Sequence, residues 1–230
     1  MRLATSTFGS MPEGDSVTVA QADFVGGGEV RLPSGSEVTH AVLACQGASL
    51  GGTPTKALTA GLLQHVLGGC SYVKWGGTAS RLGKAVAAAI GGPFAVNSFN
   101  IGYSDNGLFG MYAVSEGKNM DPVLRAMVRE FKSVALGLSE QDLTRARNQL
   151  KAAILMDGEQ RGHLINDMAL QVSLRGSYTS PEEAASLIDS ISAQDVTTFA
   201  HKILNTRAVL CCHGNVASVP RLDALLAELK

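Results

Sequence analysis

The sequence predicts an α+β fold: a two-layer sandwich in which a mixed or antiparallel sheet carries helices packed on one face. Three observations predict it. Two strand-like runs, 94–103 and 108–115, flank Ser104-Asp105-Asn106-Gly107, and Asn-Gly supplies the positive φ angles of a tight hairpin turn. Strands linked as a hairpin exclude a doubly wound parallel sheet. Helical stripes with their caps then follow one another from residue 121 onward, which gathers helices on one side of the sheet. Finally, 45% of the 230 residues are hydrophobic, enough to bury a substantial core.

Taken in order, residues 1–23 are rich in Ser, Thr, Gly and Ala and show no period, so they read as a linker or flexible arm. The domain itself is expected over 24–230. Glu29–Leu32 is a short strand closed by the Pro33-Ser34-Gly35 turn. Val38–Cys45 is a nearly continuous apolar run, as in a buried strand. Thr53 is the expected cap of a helix running to about Val66. Pro54 fits its first turn, where a missing N–H is harmless. A loop from Gly68 to Gly77 holds the single Trp75, read either as an interface anchor or as loop packing. Ser80 to Ile90 is an Ala-rich helix. After the hairpin, Asp121-Pro122 is expected to cap a helix whose Val123, Leu124, Met127, Val128 and Phe131 share one face. Ser139 with Asp142 forms a capping box ahead of the stripe Leu143, Ala146, Leu150 and Ile154. A further helix carries Leu164, Met168 and Val172. Ser180-Pro181-Glu182-Glu183 and Ser192 with Asp195 cap two more, the second ending near Leu204. Arg207–Cys212 is the last strand, and Pro220–Leu229 the last helix.

Charge and cysteine content remove several functions. Nineteen basic and twenty acidic residues leave a net charge of −1, which argues against gripping nucleic acid or an anionic membrane. Only 17% of residues are charged and 26 are glycine, which points to a surface covered by partner protein. The apolar stretch 85–96 is too short for a bilayer and is broken by Gly91, Gly92 and Pro93. Cys45, Cys70, Cys211 and Cys212 form no CxxC pair, which favours a reducing compartment. The first eleven residues lack the apolar centre of a secretory signal. With one Arg and no acid before Glu13 they fit either a mitochondrial presequence or a linker cut from a longer chain.

No motif completes a catalytic set. The histidines 40, 65, 163, 201 and 213 never fall within four residues of each other, so no HExxH or HxxEH zinc helix exists. His163 and Asp167 are i, i+4 but lack a third ligand. Gly77 to Ala85 resembles a phosphate loop, yet residue 78 is Thr and the residue after Lys84 is Ala. Gly47-Ala48-Ser49-Leu50-Gly51 is a literal GxSxG after a strand, with Asp189 and His213 in hydrolase order. Gly51-Gly52-Thr53-Pro54 delays the helix that a nucleophile elbow needs, and the strand pattern gives no parallel sheet to present Ser49. The helix dipole accounts for Glu182-Glu183. Adjacent Cys211 and Cys212 point to opposite faces of a strand. Arg145, Arg147 and Lys151 read as a solvated or partner-facing helix surface.

Several stretches resemble one family in the family's own order: Leu63-Gln64-His65-Val66-Leu67-Gly68, the hairpin FNxxYxDxGLFGxY from Phe99 to Tyr112, Ala146-Arg147-Asn148-Gln149-Leu150-Lys151-Ala152, and Gly176-Ser177-Tyr178 before Thr179-Ser180-Pro181. The chain resembles the pitrilysin/insulinase-like family, which includes the mitochondrial processing peptidase, over about Phe24 to Leu229. The hairpin is its most specific stretch. The likeness extends to non-catalytic members, the core proteins of the mitochondrial cytochrome bc complex (complex III). In that family a subunit is two similar halves joined by a linker, and HxxEH lies in the N-terminal half. The resemblance here is to the C-terminal half. It implies no catalytic, cofactor-binding or metal residues in this chain, and neither heme, quinone nor zinc. It implies residues 1–23 as the inter-half linker. The partners implied are the N-terminal half-domain, a core-protein-one-like subunit and other complex III subunits. The place implied is the matrix side of the inner membrane, peripheral rather than spanning. The alternative it leaves is the C-terminal half of a processing-peptidase subunit that helps to bind presequences.

Overall fold

The computed structural model describes residues 2–12, 14–15, 20–69 and 77–229. Trp75 and Cys70 lie outside them, and with them most of the loop expected over 68–77. A short helix α1 (Arg2–Phe8) forms where no regular element was expected, and it buries no residue. Further on, the segment is tied down: the Asp105 carboxylate accepts from the Ala22 N–H at 2.6 Å, and the Asn106 amide donates to Ala22 O at 3.3 Å.

Among the described residues five strands form one sheet: β1 (Glu29–Pro33), β2 (Val38–Gln46), β3 (Phe94–Gly102), β4 (Gly107–Glu116) and β5 (Val209–Gly214). Their order is β1-β5-β2-β4-β3. Only β1 and β5 run parallel, so the sheet is mixed. Alternation along β2 puts Thr39, Ala41, Leu43 and Cys45 on the buried face. Ala41 lies in register with Ala113 on one side and Cys212 on the other, and all three are buried. This row of small side chains leaves room for helices to sit close on the sheet.

The helices that supply the cover are α2 (Pro54–Leu67), α3 (Arg81–Ala89), α4 (Met120–Leu136), α5 (Glu140–Gly158), α7 (Pro181–Ser190), α8 (Ala193–Leu204) and α9 (Leu222–Leu229), with α6 (Arg161–Arg175) outside them. Every apolar residue expected on the α4 face is buried, and Phe131 packs its ring 5.8 Å from that of Phe109. Ser180 and Ser192 make full capping boxes with Glu183 and Asp195. Two buried hydroxyls find partners: Ser98 donates to Gln64 O at 2.9 Å, and Thr39 to Asn215 O at 2.7 Å.

Several local expectations are corrected. The hairpin loop has no residue at positive φ, so Asn106-Gly107 is not the tight turn it resembles. Tyr103 N–H bonds to Asn106 O at 2.8 Å instead, closing a longer loop. Gly107 is required by crowding: a Cβ there would lie 2.1 Å from Ala48 O. Asp121 is not a cap, because a 3-10 turn over Gly117–Asn119 starts the helix earlier and leaves Asp121 paired to Arg125 at 3.0 Å. Thr53 has extended N-cap backbone but no side-chain cap bond. Ser139 accepts from Asp142 N–H at 3.1 Å, but the Asp142 carboxylate takes the Ser139 hydroxyl, Arg81 and Arg145 rather than the Ser139 N–H, and the box stays half made. β5 begins two residues late because Asn205 and Thr206 are still bonded to the last turn of α8.

Candidate functional site

The hydrolase reading of Ser49 does not assemble. Ser49 sits in the loop after β2, held by Leu50 N–H to Tyr103 O at 2.8 Å and Gly51 N–H to Ser104 O at 3.0 Å. His213 pairs with His40, near the opposite end of β2. Six strand residues separate His40 from the end of β2, roughly 20 Å, before the loop carrying Ser49 begins. Asp189 is on α7, bound to Lys151 at 2.7 Å. β2 is also antiparallel to both neighbours, unlike the strand of a nucleophile elbow.

The other motifs resolve into structural roles. Ser80 caps α3 by accepting from Gly83 N–H, so Gly83-Lys84 is helix rather than phosphate loop. His163 bonds to Asp157 at 2.6 Å, while Asp167 takes Gln171. Burial pushes the Cys45 thiol up to about 11, partly offset by its hydrogen bond with Thr206. Burial also raises the Cys212 thiol. At both, burial disfavours the thiolate. Cys211 faces outward, as adjacent strand positions require.

The basic run on α5 is less solvated than its pattern suggests. Arg147 donates to Ile191 O at 2.6 Å and pairs with Glu140, and Lys151 holds Asp189. Both side chains therefore staple α5 to α7. Arg81 joins three helices, with Glu130 of α4 at 2.5 Å and Asp142 of α5 at 3.0 Å. Burial works against the Asp142 charge, but the Ser139 hydroxyl and the Arg81 and Arg145 guanidinia together hold its carboxyl below the usual range. Glu29 of β1 reaches the start of α9. It accepts from Leu222 N–H at 2.9 Å and pairs with Arg221 and Arg31, which lowers its carboxyl from 4.5 to about 2.

Two arrangements were invisible in the sequence. One is a cleft of about 230 Å³ between the start of α2, the end of α5, α6 and α7. Leu50, Leu58, Ile154, Leu164, Leu170 and Leu174 line it, with Asp157, His163, Asp167 and Arg175 among them. Next to it α6 buries no residue: Ile165, Met168 and Val172 are 64%, 40% and 51% exposed, and Leu155 and Met156 at the end of α5 are exposed as well. The other is a pair of histidines on the sheet face that the helices leave open. His40 and His213, 173 residues apart, face each other across β2 and β5 with ring centres 6.5 Å apart. His40 Nδ1 lies 2.5 Å from the Tyr112 hydroxyl. Strand periodicity marks each side chain as outward but carries no sign of the register that joins them. Among the described residues no three His, Cys, Asp or Glu side chains form a group that could hold a metal, and no helix is long and apolar enough to cross a membrane.

Comparison with known proteins matches residues 1–150 to the family model described as the peptidase M16 inactive domain. The chain is 34% identical over 227 residues to the human mitochondrial cytochrome b-c1 complex subunit 2, covering 98% of this chain and 49% of that protein. It is 30% identical over 197 residues to the beta subunit of the Saccharomyces cerevisiae mitochondrial-processing peptidase, covering 83% of this chain and 42% of that one. In fold it is similar to a chain of complex III2 from Candida albicans, Inz-5 bound. The TM-score is 0.84 and the identity 22%, covering 99% of this chain and 55% of the other. The chain thus spans about half the length of the curated relatives it matches.

Proposed function

The chain belongs to the peptidase M16 family, and from that premise we propose that it is the C-terminal half of a non-catalytic core subunit, core protein two, of the mitochondrial ubiquinol–cytochrome c reductase complex. Its work is to hold other polypeptides in place. Its partners are its own N-terminal half-domain, a core-protein-one-like subunit and further complex III subunits. It is mitochondrial, on the matrix side of the inner membrane and peripheral to it. Residues 1–23 serve as the linker between halves.

The observation that carries this reading is α6. A 15-residue helix with a regular apolar stripe and no buried residue is a poor solution for a domain standing alone. Large exposed apolar patches mark protein interfaces, and the adjoining cleft gives this one relief into which a partner side chain fits. A chain in which only 17% of all residues are charged points the same way. Scaffold interfaces of obligate assemblies often bury about 2,000 Å² or more, which requires such surfaces. The Ser49, Gly83-Lys84 and His163 motifs all have structural explanations, so none competes with this reading.

The identity to a processing-peptidase subunit favours one alternative. There the same half-domain helps to enclose a presequence while another half supplies zinc. The test is a pull-down of the tagged chain from mitochondrial extract in mild detergent, read by mass spectrometry. Cytochrome bc complex subunits are the expected catch. A catch limited to a zinc-containing peptidase subunit transfers the assignment to presequence processing.

A further inference from the structure

We propose that His40 and His213 form a two-imidazole chelate for a divalent transition-metal ion of the zinc or nickel class, on the sheet face opposite the helices. The two residues are direct register partners on antiparallel strands, which fixes their Cα atoms and points both rings to the same side. Both side chains are exposed. Imidazole is a preferred ligand for zinc, copper and nickel.

The ring spacing fits after a small closure. A metal about 2.0 Å from each nitrogen lies roughly 3.2 Å from each ring centre, so two bound rings stand about 5 to 6.4 Å apart depending on the angle at the metal. The observed 6.5 Å lies just beyond the wide end of that range, and rotation about the side-chain bonds of two exposed residues supplies the difference. His40 is already oriented. In the tautomer whose Nδ1–H donates to the Tyr112 hydroxyl, the lone pair of its Nε2 is left free, and such an outer hydrogen bond fixes the tautomer of metal-binding histidines. The third and fourth positions fall to water, since no third His, Cys, Asp or Glu among the described residues completes a metal-holding group. Binding is therefore weaker than at a closed structural zinc site. An ion held here bridges β2 and β5, strands from opposite ends of the chain.

The probe is zinc chloride alone, titrated into the untagged full chain by calorimetry and followed in parallel by thermal melting. Saturable one-to-one binding is expected, together with a rise in Tm, because the paired geometry exists only in the folded state. Tyr112→Phe is expected to weaken binding by about tenfold, and His40→Ala or His213→Ala each by more. His201→Ala, which removes an exposed histidine in the last turn of α8, is expected to bind as the parent does. His40→Gln, with its melt checked in the absence of zinc, separates loss of the ligand from loss of the fold. The proposal is overturned if the chain shows no saturable binding below millimolar zinc. It is equally overturned if folded His40 and His213 variants keep the parent's affinity and Tm rise.

Discussion

Helices α4 and α6 have 17 and 15 residues, and both show an apolar stripe in the sequence. α4 buries eight residues against the sheet and α8; α6 buries none. The stripe therefore says that a helix needs cover, not where the cover comes from. For α4 it comes from this chain. For α6 no described part of this chain buries its stripe, and the proposed function rests on that difference.

The largest expected effect breaks the covered side. Leu124 is fully buried on α4, and Leu124→Ala is expected to cost about 2–5 kcal/mol, read as a drop in denaturant midpoint. A loss below 1 kcal/mol would mean that α4 is not the centre of the core. Next comes the hairpin that the sheet is built on. Gly107→Ala drives a methyl against the Ala48 carbonyl and is expected to cost about 1–3 kcal/mol. If it is neutral, the close approach there is not fixed.

A smaller effect concerns the closure of β1 on α9. The Glu29 carboxyl sits at about 2 instead of 4.5 because Leu222 N–H, Arg221 and Arg31 all favour its charged form. A lowered carboxyl gives stability that is fully present above pH 4.5 and is lost as pH falls toward 2. Glu29→Ala is expected to cost about 1 kcal/mol at pH 7, as helix caps do, and to flatten the fall in Tm between pH 5 and 3. Equal acid slopes in parent and variant would remove Glu29 from that role. The smallest effect belongs to the uncovered helix. Met168→Ala is expected to stay within about 0.5 kcal/mol of the parent when the chain is alone.

What the sequence revealed follows the same division. Local chemistry was legible wherever one side chain answers one backbone group: Ser180 and Ser192 cap the helices they precede, and the alternation in β2 names its buried face. Properties set by a distant part of the chain were not legible. Gly107 is a glycine because of Ala48, not because of its own φ. Asp121 looks like a cap, but the 3-10 turn before it moves the helix start. Arg147 and Lys151 look solvated until α7 is folded against them. His40 and His213 meet only through the register of β2 on β5, and α6 reads like any covered helix until its neighbours are placed.

In the proposed assembly the α5–α6 surface is covered by other subunits. Amide hydrogen exchange tests it most directly, measured on the free chain and on the chain recovered in its mitochondrial assembly. Exchange across residues 155–172 is expected to slow at least about tenfold in the assembly, while α4, already covered, changes little. Exchange in that segment that is equally fast in both states would contradict it.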